Sequence, residues 1–265
     1  MPAGDHLRSI GLDRYDINAR LKPALMALLP VLIVVGFWFP QAHTLIGVAL
    51  GLVTTCGVTY LMAQTVRRRG RAVERRMGER AGRLHSARLM THSDPTFTVE
   101  TKARYHAYLR SNAIEVSSPE EEGAAPQVAL ARARSAVDWL LEHTRANAKQ
   151  SLLFDENIAY GFHRNLYGIK PLAIGIVLAA MAAHGALLAT TTLDEATLRT
   201  AYLVWGVLIT LLALWCFLVS QNAVTDASLA YAQKLFSQCE GLVSTSGRVA
   251  AKTEGRTSGT SPKVS

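Results

Sequence analysis

Apolar residues run without interruption over residues 23–39, 45–64, 171–191 and 201–220, and none of these stretches contains Asp, Glu, Lys or Arg. A helix rises about 1.5 Å per residue, so about 20 residues cross a hydrocarbon core of about 30 Å. Within lipid every backbone N–H and C=O needs an internal partner, which makes helix the form such runs take. The first run holds Pro30, which removes one helical hydrogen bond. It ends in Phe37-Trp38-Phe39-Pro40, without the small-x-small site of a cleaved signal peptide, and a second apolar run follows after residues 41–44. It is therefore read as a retained span, paired with the second in a helical hairpin.

Between the two hairpins the pattern changes to short amphipathic helices. Val66, Val73, Met77 and Leu84 repeat at helical spacing beyond the second run, and a break falls at His92-Ser93-Asp94-Pro95. A helix is expected over 97–112, an acidic mobile loop over 117–126, and a third helix from Pro126 with Leu130, Ala133, Val137, Leu140 and Leu141 on one face. Phe154, Ile158 and Phe162 carry helical spacing toward the third run. After the fourth, 227–242 reads as an amphipathic helix using Leu229, Leu235, Phe236, Cys239 and Leu242, followed by a Ser-, Thr- and Gly-rich disordered tail.

The expected fold is an all-α integral membrane protein with four transmembrane helices in two hairpins. Its segments are a tail (1–22), a first hairpin (23–64), a helical domain (65–170), a second hairpin (171–221) and a C-terminal helix with its tail (222–265). Lys22-Pro23 and Lys170-Pro171 open the two hairpins alike, a faint echo of a parallel repeat.

The distribution of charge orients these spans. Arg8, Arg14, Arg20 and Lys22 precede the first, and Arg67, Arg68, Arg69 and Arg71 follow the second. Arg164 and Lys170 precede the third, and Lys234 follows the fourth. The first hairpin loop has no basic residue, and the second has only Arg199 beside Asp194 and Glu195. The positive-inside rule then puts both termini and the central segment in the cytoplasm, as in a bacterial-type inner membrane. The net charge of +8 is thereby accounted for as a topology determinant that also touches anionic headgroups. No aromatic residues interleave with the arginines, which argues against nucleic acid as a partner.

The three cysteines make no zinc or redox spacing, and no P-loop, nucleophile-elbow, zincin or dinucleotide motif occurs. The chain is read as non-catalytic and without a cofactor. Its densest polar stretch precedes the third span and contains Glu156, Asn157, Tyr160, His163, Arg164, Asn165, Tyr167 and Lys170. Spacing of four residues sets Glu156 and Arg164 on either side of Tyr160. The stretch is either a coupling or interface cluster or the aromatic and basic anchor of a span's end. Lys102 and His106 share a helix face that is read as solvated. Gly47 and Gly51 on the second span, and Gly175, Ala179, Ala182 and Ala186 on the third, are small-residue faces suited to helix packing within the chain or between copies. His184 lies opposite the latter stripe. It is either a pore, relay or inter-subunit residue, or a neutral histidine hydrogen-bonded near the outer interface.

The function expected from these features is a self-associating membrane scaffold, regulator or pore-type effector gated through its cytoplasmic helices. A homo-oligomer and a cytoplasmic protein partner are expected with it. The alternative is a small oligomeric secondary transporter or carrier with His184 on its pathway.

Overall fold

A computed structural model of the chain describes residues 13–39, 45–77, 83–145 and 152–257, with side chains at 13–39, 56–77, 85–144 and 152–239. Among the described residues the protein is all-helical, with 87% of them in helix and no strand. The helices are α1 (Arg14–Trp38), α2 (Leu45–Met77), α3 (Arg83–Met90), α4 (Val99–Ser111), α5 (Pro119–Ala124), α6 (Pro126–Arg145), α7 (Leu152–Thr190), α8 (Glu195–Phe217) and α9 (Gln221–Thr257). Three of them, α1, α7 and α8, are long and apolar enough to cross a membrane, which suggests a membrane protein. The stretch 45–64 is helical within α2, but the side chains of 45–55 lie outside the described residues.

The chain divides into two compact units, Met1–Met77 with Asn157–Ala227, and Gly78–Glu156 with Ser228–Ser265. By packing, therefore, 65–77 and 157–170 belong with the apolar helices, although their polarity separates them from the spans in sequence.

The first unit is built around the apolar helices. Ala24 and Ala27 of α1, Leu166, Ile169 and Ala173 of α7, Trp215 of α8 and Val66 of α2 form one buried cluster. Val34, Ala180, Val204 and Leu208 form a second. Because early α1 meets the middle of α7 and late α8, while Val34 meets Ala180 and the earlier Val204 and Leu208, α1 and α7 run parallel and α8 runs back between the two ends. The end that holds Trp215 also gathers Arg20, Lys22, Val66, Arg164 and Lys170. At the opposite end α8 starts with Asp194 as N-cap, its carboxylate accepting the Thr197 N–H, and Glu195 pairs with Arg199.

The second unit buries the amphipathic faces. Ala133, Val137 and Leu140 of α6 pack with Leu89, Leu109, Leu235 and Phe236, all under a tenth exposed. This is the stripe read on α6, together with most of the one read on α9. Phe97, Tyr105 and Phe236 have ring centroids 5.5–6.1 Å apart.

Two expectations are corrected here. The acidic segment expected as a mobile loop contains α5, because Ser118 and Glu121 make a reciprocal capping box and Pro119 occupies the first turn. Glu122, on this helix, is buried. The second correction concerns α9, which continues to Thr257, into the stretch read as disordered; its Ala, Lys and Glu content still permits helix. Residues 258–265 lie outside the described part.

Candidate functional site

In the first unit the polar stretch of α7 meets α1 and α2 at the basic end. The helices approach closely there because glycines line the crossing. A Cβ on Gly168 would lie 2.8 Å from the Arg69 carbonyl carbon and 2.9 Å from the Gly70 nitrogen. A Cβ on Gly70 would lie 1.8 Å from Asn165 Oδ1, and one on Gly161 would lie 2.5 Å from the Tyr15 hydroxyl. Gly161, Gly168 and the fully buried Asn165 thus share the face of α7 that takes the other two helices.

Asn165 has a specific task. Pro23 carries no N–H, so the carbonyl four residues before it, that of Ala19, lacks its helical donor. A π-helical turn, Ile17–Leu21, precedes the proline, with the Lys22 N–H reaching back to Ile17. Asn165 Nδ2 donates to the Ala19 carbonyl at 2.6 Å and supplies what the proline removes. Asn165→Leu keeps the approximate size but strips the donor, leaving a buried carbonyl unpaired at a cost of about 1–3 kcal/mol. The expected result is a lower melting temperature in detergent, while a double variant with Pro23→Ala, which restores the N–H, melts higher than the single one.

Beside Asn165 lies an ion pair. Arg164 Nη1 donates to Glu74 Oε2 at 2.7 Å, with Arg164 only 13% exposed. Tyr160 places its ring under the Arg164 guanidinium, 5.3 Å from the centroid, and its hydroxyl 3.5 Å from Glu74 Oε1. The Tyr15 hydroxyl lies 3.5 Å from Arg164 Nη2. Further along, Lys170 Nζ donates to the carbonyls of Cys216 at 2.9 Å and Val219 at 2.8 Å. These lie at the end of α8, where carbonyls lack helical partners and the helix dipole favours a cation.

Of the sequence-read cluster, Tyr160, Arg164, Asn165 and Lys170 thus converge on neighbouring helices. Glu156, Asn157, His163 and Tyr167 are half-buried. The partner of Arg164 is Glu74 rather than Glu156. Glu74, Tyr15, Gly70 and Gly168 were not singled out in the sequence. Glu74 did carry a signal, as the lone carboxylate within the arginine run 67–76. Arg68, Arg69 and Arg71 are exposed and, with Thr65, Ala72 and Arg75, border an open basic pocket of about 590 Å³; Arg67 is half-buried.

At the other end of the unit His184 is fully buried. Trp38 Nε1 donates to His184 Nδ1 at 2.8 Å, and His184 Nε2 lies 3.1 Å from the Ala201 carbonyl. An indole N–H can only donate, so Nδ1 is the acceptor and the Nε2–H tautomer of neutral imidazole satisfies both contacts. Phe37, Trp38 and Trp205 surround the ring at centroid distances of 5.6–5.8 Å. One side chain therefore joins α1, α7 and α8. Gly175, Ala179, Ala182 and Ala186 lie on the exposed face of α7, away from His184. The surroundings of Gly47 and Gly51 are outside the described side chains.

In the second unit Lys102 and His106 are 4% and 3% exposed, not solvated as expected. The reason is the turn that follows α3. Lys102 Nζ donates to the carbonyls of Thr91, His92 and Asp94, and His106 Nε2 lies 2.9 Å from the Met90 carbonyl. Glu122 accepts the N–H groups of His92 at 2.7 Å and Ser93 at 2.9 Å. The backbone of this turn absorbs the polar groups that a helix face would otherwise give to water. The cavity beside them, about 10 Å³, has room for about one water.

Burial holds the His106 imidazole below its usual value of 6.5, against the pull of the Met90 carbonyl. Burial alone would raise the Glu122 carboxyl, but hydrogen bonds from Ser93 and His92 outweigh it and hold the group below its usual 4.5. In both cases the unfolded chain binds protons first, so stability falls with falling pH. Amide-exchange protection in α4 should drop below about pH 6.5 as the unfolded His106 charges, and again below about pH 4.5. His106→Gln should reduce the first step, to which the partly buried His85 also contributes, and leave the second unchanged.

Compared with known protein families, curated proteins and solved structures, the chain matches none. What fold and site define is an all-helical protein with three membrane-length helices and a glycine-lined polar crossing at the basic end of its apolar bundle.

Proposed function

We propose that this chain is a non-catalytic polytopic protein of a bacterial-type inner membrane, self-associating and acting as a scaffold, regulator or pore-type effector gated through its cytoplasmic helices. The observation that carries this reading is the segregation of charge in the first unit. Arg20 and Lys22 flank Ala19 and Pro23 at the end where Arg164 meets Glu74 of the arginine run and Lys170 meets Val219, while Trp38, His184 and Trp205 occupy the other. A bundle sorted in this way suits four spans in two hairpins, with 45–64 as the second and both termini cytoplasmic. The basic end then faces anionic headgroups.

Self-association is supported by the exposed small-residue face of α7 at Gly175, Ala179, Ala182 and Ala186. Such faces let helices of separate copies approach closely in lipid, where apolar surface alone drives nothing together. The signal is conformational, received by the helical cytoplasmic segment from a protein partner, without a cofactor. His184, with both ring nitrogens engaged, serves this account as a latch.

Single-molecule photobleaching of labelled protein in vesicles tests the reading. More than one copy per particle is expected, with Ala179→Leu shifting the distribution toward single copies; uniformly single wild-type copies would contradict it. Dye release from the same vesicles separates a pore-type effector from a tight scaffold.

A further inference from the structure

Between α1, α7 and the end of α8 the first unit carries an apolar groove of about 310 Å³, within the range of about 300–1,000 Å³ found for small-ligand sites. Met26 and Leu29 line it from α1, Leu214 and Trp215 from α8, and Leu218 just beyond. Met26, Leu29, Leu214 and Leu218 remain exposed, at 41–67%. The lining becomes polar toward one end, where His163, Val219 and Ser220 contribute.

A cation adjoins that end without lining the groove itself. Lys170 Nζ donates to the carbonyl of Val219, a lining residue, and to that of Cys216. An ammonium has three N–H donors, so one remains for a further acceptor. No carboxylate lines the groove among the described residues.

We infer that the groove seats one acyl chain of an anionic phospholipid, with the phosphate held at the Lys170–His163 end. The apolar lining runs along α1 and α8, the direction a hydrocarbon tail takes beside the spans. The remaining ammonium donor, the imidazole and the Ser220 hydroxyl complement an anionic headgroup at interface depth. The inference rests on the membrane reading above. It adds a preference for negative lipid at a defined place, which general immersion in a bilayer does not require.

The test is native mass spectrometry of the full chain, purified in mild detergent and loaded with phosphatidylglycerol or phosphatidylcholine. One phosphatidylglycerol should survive detergent stripping and phosphatidylcholine should not. Leu214→Trp, which fills the groove, should lower that retention several-fold while helical circular dichroism is kept. Equal retention of the two lipids, or retention unchanged in a folded Leu214→Trp variant, would overturn the inference.

If that variant does not fold, wild-type protein with a phosphatidylglycerol carrying a photoactivatable acyl chain decides. Adducts concentrated at 26–29 and 211–218 support the groove. Adducts spread evenly over exposed positions such as Leu203 and Ile209, or a second copy crosslinked into the groove, count against it. Release of the protein from membranes by alkaline carbonate would instead remove the membrane reading, before any lipid is counted.

Discussion

Gly168→Ala should be among the most damaging single-methyl additions in this chain. Its new Cβ would meet the Arg69 carbonyl carbon at 2.8 Å, the Gly70 nitrogen at 2.9 Å and the Arg69 oxygen at 3.0 Å. All three are backbone atoms of a facing helix, so no rotamer change relieves the contact and α2 and α7 must separate. Overpacking of this kind costs about 1–3 kcal/mol, sometimes more. Separation also threatens the neighbouring contacts, since Asn165 reaches Ala19 and Arg164 reaches Glu74 from the same face of the crossing. A methyl at Gly206 or Gly175 meets nothing within 4 Å and removes a helix-weakening glycine, worth up to about 1 kcal/mol in the opposite direction. Thermal melting in detergent should therefore drop for Gly168→Ala and hold or rise for Gly206→Ala. Equal melting of the two would mean that the crossing is not as close as described.

His184→Leu is the second large expected loss. It leaves the Trp38 indole N–H, now bonded at 2.8 Å, without an acceptor in an apolar setting, and removes a donor from the Ala201 carbonyl. A stranded buried donor costs about 1–3 kcal/mol, and the ring's packing against Phe37, Trp38 and Trp205 is lost as well. Melting should fall by an amount comparable to Gly168→Ala. The double variant with Trp38→Phe should be less than additive, because the stranded donor is then gone. Additive losses would show that the two side chains do not act as a pair.

Much of the frame was legible because it depends on local pattern. Three apolar runs became α1, α7 and α8, and the spacing of Ala133, Val137 and Leu140 identified the buried face of α6. The polar stretch before the third apolar run was legible as dense, but its wiring was not. Arg164 finds Glu74 ninety positions away, and no periodicity encodes a pairing between distant helices. Asn165 and Lys170 bind backbone carbonyls, which carry no sequence signature. Lys102 and His106 were misjudged for the same reason, since the turn at 90–94 that receives them offers main-chain oxygen. The short helix α5 was within reach. Ser118-Pro119-Glu120-Glu121 is a capping-box pattern with proline in the first turn, and its acidic composition masked it.

In the proposed topology apolar helix pairs cross the membrane and leave the arginine-flanked middle on the cytosolic side. Its most direct test is labelling of intact bacterial cells with a membrane-impermeant maleimide, in a chain whose Cys56, Cys216 and Cys239 are replaced by alanine. Thr191→Cys, in the connection between α7 and α8, should label from outside, and Glu120→Cys, on α5, only after lysis. Labelling of Glu120→Cys in unbroken cells would rule this topology out.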